Sequence, residues 1–436
     1  MVRTIGVEAL QKRLRAAGTG ILLPERLASS FPLATASSLQ DLLPIGDAVL
    51  AIVRCGDATI ATLVIDEAPL PRRVRTGDGA FAAIARAVAG GEVAGRFAVR
   101  RFGSIPLGGE ERAIATDQSN DSVVVGDAAI VKLYPLVTPG PHPAVRISMH
   151  LDEVGFVESP RLLGALTWSD DDAEYLVATI TQLLPEAHEG WDWHIRLVEE
   201  IADGERPPAA WARPAAALGA LVARLHVALA TASSVIPAPR SLASQDDASR
   251  WLGQAESTLE EALASTDGPE GERLRAHEPA IGASLAPLGS RTGTTITTIH
   301  GDLHVGQLLP WRDGFAVIDF EGNPLQPDED RGRLRPPARD VASLVRSFDH
   351  VGRIVQRRRP DRAEDIAAWI AAARSSFLDA YRTTLHEVGE QELFDERLLR
   401  PFEVAQECHE YVYAARYLPH WRSVPDLALP QLLEEA

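Results

Sequence analysis

Ile299-His-Gly-Asp-Leu-His-Val-Gly-Gln307, with Asp319-Phe-Glu-Gly322 following twelve residues after Gln307, carries the reading of the whole chain. These two pieces hold the residue types that phosphoryl transfer asks for. Such a transfer needs positioning and charge neutralisation more than covalent help. One carboxylate to receive a hydroxyl proton, oxygen ligands for a divalent ion and a cation on the phosphates are enough. Asp302 fits the first role; Gln307 and Asp319 fit the second, holding Mg2+ against the ATP phosphates. Each piece ends a β-rich run, at 294–300 and 315–319, so adjacent strands are expected to present Asp302 and Asp319 at their mouths. Gly301 permits the sharp turn, and residues 303–307 form the catalytic loop. A buried strand end with capped polar residues could also contain His-Gly-Asp, but the two motifs at this separation favour the catalytic reading.

The cation comes from an odd composition. Lys and Arg together number 43, yet lysine occurs only at Lys12 and Lys132. A lysine kept inside the apolar run Ala129-Ile-Val-Lys-Leu-Tyr134 suggests a need that arginine does not meet, because a compact ammonium acts on a phosphate as a point charge. The competing reading is a snorkelling surface lysine. Upstream, residues 122–125 and 128–133 read as two strands joined by Gly126-Asp127, a two-residue hairpin signal. Gln118, Ser119, Asn120 and Ser122 are then expected to lie over the nucleotide phosphates and offer hydroxyl, amide and backbone donors. No Walker-type lysine loop is present.

Bulk properties narrow the classes. A chain of 436 residues exceeds one typical core, so two or three domains are expected. The net charge of -18 argues against nucleic acid or an anionic membrane as partner. Cys55 and Cys408 show no paired spacing, which fits a reducing cytoplasm. No signal-peptide pattern and no run of eighteen apolar residues is evident, so a soluble cytoplasmic protein is expected. The basic run 353–362, interrupted by Pro360, reads as a solvated turn between helices.

Pattern shifts divide the chain into three parts. Residues 1–92 mix a short helix at 7–16, strands at 48–54 and 59–65, and an Ala-rich helix at 79–89 stopped by Gly90-Gly91, which reads as an α+β cap. Residues 93–183 are strand-rich, with runs at 97–102 and 176–184, and form a nucleotide lobe whose last strand leads into an adenine-binding hinge. Residues 184–436 are mostly helical, including a nearly all-apolar helix at 218–229 that carries His226 as a core histidine.

Taken in order, Gln118-Ser-Asn, Lys132, Gly190-Trp191, Leu225-His226, the two catalytic pieces and Arg339-Asp-Val-Ala-Ser-Leu-Val-Arg-Ser-Phe348 resemble the actinobacterial maltokinases and the glucosamine kinases related to them. The resemblance spans most of residues 110–425. It implies a bilobal α+β fold of the aminoglycoside-phosphotransferase or protein-kinase-like kind, with an N-terminal cap. It also implies ATP and Mg2+ as cofactors, Asp302 as base, Gln307 and Asp319 as metal ligands, and Lys132 on the α- and β-phosphates. The sugar acceptor would be the 6-hydroxyl of glucosamine, or the 1-hydroxyl of maltose in a maltokinase. An aminoglycoside phosphotransferase or a non-catalytic nucleotide-binding module are the further alternatives.

Departures from the family's pattern bear on substrate. Asn323 stands where a glutamate is usual, and His142-Pro-Ala-Val-Arg146 lacks the glutamate that pairs with the lysine, leaving Asp152 or Glu153 as candidates. Glu403, Glu407 and Glu410 recur at helical spacing near Tyr411 and Trp421. Aromatic faces hold sugars and acids hold an ammonium, so this segment favours an amino sugar over maltose. The alternative is a solvated acidic face. His304, Glu321, Glu407, Glu410, Tyr411 and Trp421 are the candidate substrate contacts.

Overall fold

The computed structural model describes residues 10–14, 21–24, 27, 37–91, 93–114, 120–207, 211–322 and 332–434. They fall into two compact units. One comprises residues 1–149 and 160–185, the other residues 150–159 and 186–436. The proposed cap and nucleotide lobe thus lie within a single unit.

The first unit is built from alternation. Strands β1 (Ser37–Ile45), β2 (Ala48–Cys55), β3 (Ala58–Ile65) and β4 (Arg72–Arg73) pair in that order. Helix α1 (Ala80–Gly90) follows and ends where Gly91 adopts a left-handed conformation and donates its N–H to Ala87 and Val88 carbonyls. Strands β5 (Phe97–Arg101), β6 (Glu111–Ala113), β7 (Asp121–Val125) and β8 (Ala129–Leu133) come next, then β9 (Leu136–Val137), which joins β3. After helix α2 (Pro143–Glu153), β10 (Leu162–Ser169) and β11 (Glu174–Gln182) complete a second antiparallel sheet of order β5-β10-β11-β8-β7-β6.

Strand β2 is apolar on both faces because both are covered. Leu50 and Ile52 enter a core shared with Phe81, Ile84 and Val88 of α1 and with Val131, Leu133 and Ile180 of the second sheet. Val49, Ala51 and Val53 enter a separate core with Leu10, Leu14, Leu22 and Leu23. Each fully buried side chain of this size stabilises the fold by about 1.5–3 kcal/mol. The β7–β8 hairpin is one residue longer than its Gly-Asp pair suggests: Val125 pairs with Ala129, leaving residues 126–128 in the turn.

The second unit is chiefly helical: α3 (Gly190–Ala202), α4 (Ala212–Leu229), α5 (Gln245–Ser265), α6 (Gly268–Leu285), α7 (Ala338–Arg358), α8 (Ala363–Glu387), α9 (Leu399–Arg416) and α10 (Ser423–Glu434). Ser244 and Asp247 close a reciprocal capping box at the start of α5. By length and composition α4 could cross a membrane, but Leu218, Leu221, Val222, Leu225 and Leu229 are buried within this unit.

Two local expectations are corrected here. The run at 294–300 is a strand only at β13 (Thr295–Thr297), paired with β12 (Arg240–Leu242), whereas β15 (Gly314–Val317) pairs with β14 (Leu308–Trp311). The segments leading to Asp302 and Asp319 are therefore not strand neighbours, because beyond Thr297 the side chain of Asp340 takes the backbone donors of His300 and Gly301. Likewise, the basic run is not wholly a solvated turn. Arg353 lies inside α7, 4% exposed and bound to Asp349, and only Pro360–Arg362 makes the turn.

Candidate active site

In the strand-rich unit, β8 sends Val131 and Leu133 into the core and turns Lys132 to the other face. Ser122 on β7 and Thr179 on β11 stand directly opposite Lys132 in register, so the three side chains share that face. The ammonium lies 5.7 Å from the Tyr134 ring centroid. Ser122 is thus beside Lys132, with Asn120 just ahead of β7. Gln118 and Ser119 fall outside the described residues. Glu153, one of the suggested partners for the lysine, accepts the N–H and O–H of Ser234, each at 2.7 Å.

The loop carrying Asp302 sits in the helical unit and is held from three sides. Asp340, near the start of α7 and 1% exposed, accepts His300 N–H at 2.7 Å and Gly301 N–H at 2.9 Å. Two turns along the same helix, Ser347 Oγ accepts Val305 N–H at 3.1 Å. Asp340 is itself fixed by His226, whose Nε2–H donates to Oδ2 at 3.2 Å while Nδ1 accepts Tyr381 O–H at 2.7 Å. Burial alone would raise the Asp340 carboxyl, but His226, His300 and the Gly301 N–H hold it below the usual carboxylate range.

Side-chain and backbone bonds replace the expected strand pairing. His300 Nδ1 accepts Asp302 N–H at 3.3 Å, and its Nε2–H donates to Ile318 O at 2.8 Å. Ile318 N–H in turn donates to Gln307 O at 3.0 Å. Gly301, at φ 85°, makes the turn that a side chain would strain. Asp319 also takes a positive φ, 66°, a conformation that costs a non-glycine residue about 1–3 kcal/mol and is kept where the surroundings over-determine it.

The loop's third support is the start of α3. A Cβ on Gly190 would lie 2.0 Å from Val305 O, so only glycine lets the helix meet the loop backbone. Gly190→Ala is expected to lower stability by about 1–3 kcal/mol, read as a shifted denaturant midpoint; an unchanged midpoint would show that the contact yields freely. Trp191 lies against His304, with ring centroids 5.6 Å apart, and edge-on to Trp421 at 5.8 Å.

Burial pushes the Asp302 carboxyl up to about 7, opposed by His300 and reinforced by Asp319, Glu410 and Asp340. A carboxyl poised there can accept a proton near neutral pH. Burial pulls His304 down to about 4 despite Glu410, so its ring is neutral. Gly306 N–H donates to its Nδ1 at 3.0 Å, and the Gln307 amide nitrogen lies 3.4 Å from its Nε2. The Gln307 amide and Asp319 carboxylate offer hard oxygen donors from segments tied backbone to backbone. That set suits Mg2+, which keeps water and phosphate oxygens for the rest of its shell.

The acidic helix α9 is not a solvated face. Glu403 and Glu407 are fully buried; Arg374 binds the first, while Arg346 and His350 bind the second. Tyr411 is 1% exposed, with its hydroxyl toward Asp426. Neither Glu407 nor Tyr411 therefore reaches the surface. Glu410 does: its carboxylate is half-buried, accepts Trp421 Nε1–H at 3.0 Å and Gln406 Nε2–H at 2.9 Å, and acts electrostatically on both Asp302 and His304. Glu321 follows in the turn after Asp319, also half-buried.

Comparison with known proteins agrees with this chemistry. Residues 110–381 match the phosphotransferase enzyme family (APH). The chain is 44% identical over 410 residues, 91% of each protein, to a glucosamine kinase of Streptacidiphilus jiangxiensis. It is 37% identical over 368 residues to a glucosamine kinase of Mycolicibacterium smegmatis, covering 84% of this chain and 90% of that one. Among solved structures it is similar to a glucosamine kinase in crystal form B, with TM-score 0.80, 38% identity and coverage of 97% and 99%. It is also similar to a glucosamine kinase in complex with glucosamine, ADP and inorganic phosphate, with TM-score 0.76, 39% identity and the same coverage.

Proposed function

The chain belongs to the phosphotransferase enzyme family, and on that premise we propose that it is a cytoplasmic ATP-dependent glucosamine kinase making glucosamine 6-phosphate. The observation that carries the sugar's identity is Glu410. A carboxylate that acts electrostatically on the base and is held by the indole of Trp421, which Trp191 meets edge-on, suits an ammonium-bearing ring, whereas neutral maltose gives such an acid nothing to neutralise.

Each group then has a task. Asp302 accepts the proton of the sugar 6-hydroxyl as that oxygen attacks the γ-phosphorus in line and ADP leaves. Lys132 and Ser122, side by side on β8 and β7, supply donors suited to phosphate oxygens. Gln307 and Asp319 would hold Mg2+, which neutralises charge on the phosphate oxygens when bound. Neutral His304 adds no charge that would repel the sugar ammonium. Because the base must be ionised, kcat/KM is expected to rise with pH through an inflection near 7.

An acceptor panel of glucosamine, glucose, N-acetylglucosamine, maltose and kanamycin-type aminoglycosides tests the reading, with the product's phosphate position fixed by NMR. Glucosamine should lead. A charge-assisted hydrogen bond is worth about 1.5–3 kcal/mol, so Glu410→Gln should raise the glucosamine KM about 10- to 100-fold and barely alter the KM for ATP. Preference for maltose or an aminoglycoside in the wild type would overturn the assignment.

A further inference from the structure

One buried group beside this site has no part in the chemistry above. His350, on α7, is 3% exposed. Its Nε2–H donates to Glu407 Oε1 at 3.0 Å, the same oxygen that receives Arg346 Nε at 2.5 Å, while Glu407 Oε2 is buried without a hydrogen-bond partner. Arg346 also binds Asp349 at 3.0 Å, and Asp349 binds Arg353. Burial disfavours a charged imidazole, yet the Glu407 carboxylate and then Glu410 outweigh it and raise His350, against opposition from Arg346.

The same ring also meets an aromatic neighbour. His350 meets the Trp421 indole at 6.1 Å between centroids and 82° between planes. Trp421 lies in the short 3-10 helix Pro419–Arg422, none of whose residues is buried, so that segment does little to fix the indole by itself. Its orientation depends on side chains: Trp191 on one edge, Glu410 at Nε1, and His350. Buried ionic networks are often no more stabilising than well-packed apolar residues of the same size, so stability alone gives little reason for this one.

We propose that His350 is a positioning residue for the sugar site. Anchored on Glu407, it sets the Trp421 indole and through it the Glu410 carboxylate. The inference rests on the amino-sugar reading and deepens it, by assigning Glu407 to the support of the wall.

His350→Gln keeps an N–H donor for Glu407 and removes the ring that faces Trp421. The expected result is a glucosamine KM raised about tenfold, with kcat within about twofold and the KM for ATP unchanged. In a Trp421→Phe background the same substitution should change the glucosamine KM by less than about twofold, since the group it acts through is already altered. Equal factors in both backgrounds, an unchanged KM, or a loss confined to kcat would overturn the proposal. His350→Asn serves as the second variant should the glutamine protein melt below assay temperature, with the same pattern required. Failure of the wild type to use glucosamine would instead count against the sugar reading; the cycle is then measured with the acceptor it does use, and the coupling of 350 to 421 still decides the role of His350.

Discussion

Asp302→Asn will give a folded protein whose kcat is lower by about 10²–10⁴-fold, the span that a positioned base contributes, while the KM for ATP stays near that of the wild type. The same variant should melt higher than the wild type above pH 7 when no nucleotide is present. Burial beside Asp319, Glu410 and Asp340 raises the folded carboxyl to about 7, whereas an unfolded aspartate ionises near 3.9. Between those values the unfolded chain releases its proton and the folded one keeps it. Ionised Asp302 therefore costs stability that grows as pH rises from about 4 and levels off past 7. An amide of the same shape escapes that cost. Thermal melting at pH 5 and pH 8 checks the stability half: the gap between variant and wild type should widen with pH. Near-normal turnover would remove Asp302 from the base role, and a gap that shrinks with pH would mean that its carboxyl is not raised.

Why this residue was legible while its supports were not follows from what each must do. Asp302, Gln307 and Asp319 act on one small group of atoms from short loops, so their chemistry leaves a local spacing that can be read directly. Lys132 stood out through the chain's avoidance of lysine, and the strand register placing Ser122 beside it follows from period-two alternation. Asp340, Ser347 and Tyr381 hold the loop or its supports through bonds spanning 40, 42 and 155 residues, and no local pattern announces such a role. Helical acid spacing does not announce the partners of Glu403 and Glu407 for a related reason: Arg374, Arg346 and His350 come from other helices. The β-branched run before His300 misled differently. Its composition suits a strand, but beyond Thr297 its donors bind a side chain on α7, and tertiary context overrides propensity.

Asp340→Asn is expected to separate the supporting frame from the chemistry, with a kcat loss of about 10²-fold, comparable to a misplacement of about 1 Å. The argument is geometric. Oδ2 accepts His300 N–H and His226 Nε2–H, and Oδ1 accepts Gly301 N–H. An asparagine has one oxygen, so in either orientation its amide N–H faces a backbone N–H of the His300–Gly301 pair. His226 can shift its proton to Nδ1 and donate to Tyr381 Oη instead, but a backbone amide has no such freedom. The buried donor left without an acceptor costs about 1–3 kcal/mol, and the loop carrying Asp302 can relieve it only by moving. Acid should erase the difference in stability. The Asp340 carboxyl is held below its ordinary value, so its contribution is full above the unfolded value near 3.9 and is lost as pH falls through the folded one. Urea midpoints of variant and wild type should therefore differ at pH 7 and converge below about pH 4. A variant with wild-type kcat and an unshifted midpoint at pH 7 would show that the loop keeps its shape without Asp340, leaving Ser347 and the Gly190 contact to hold it.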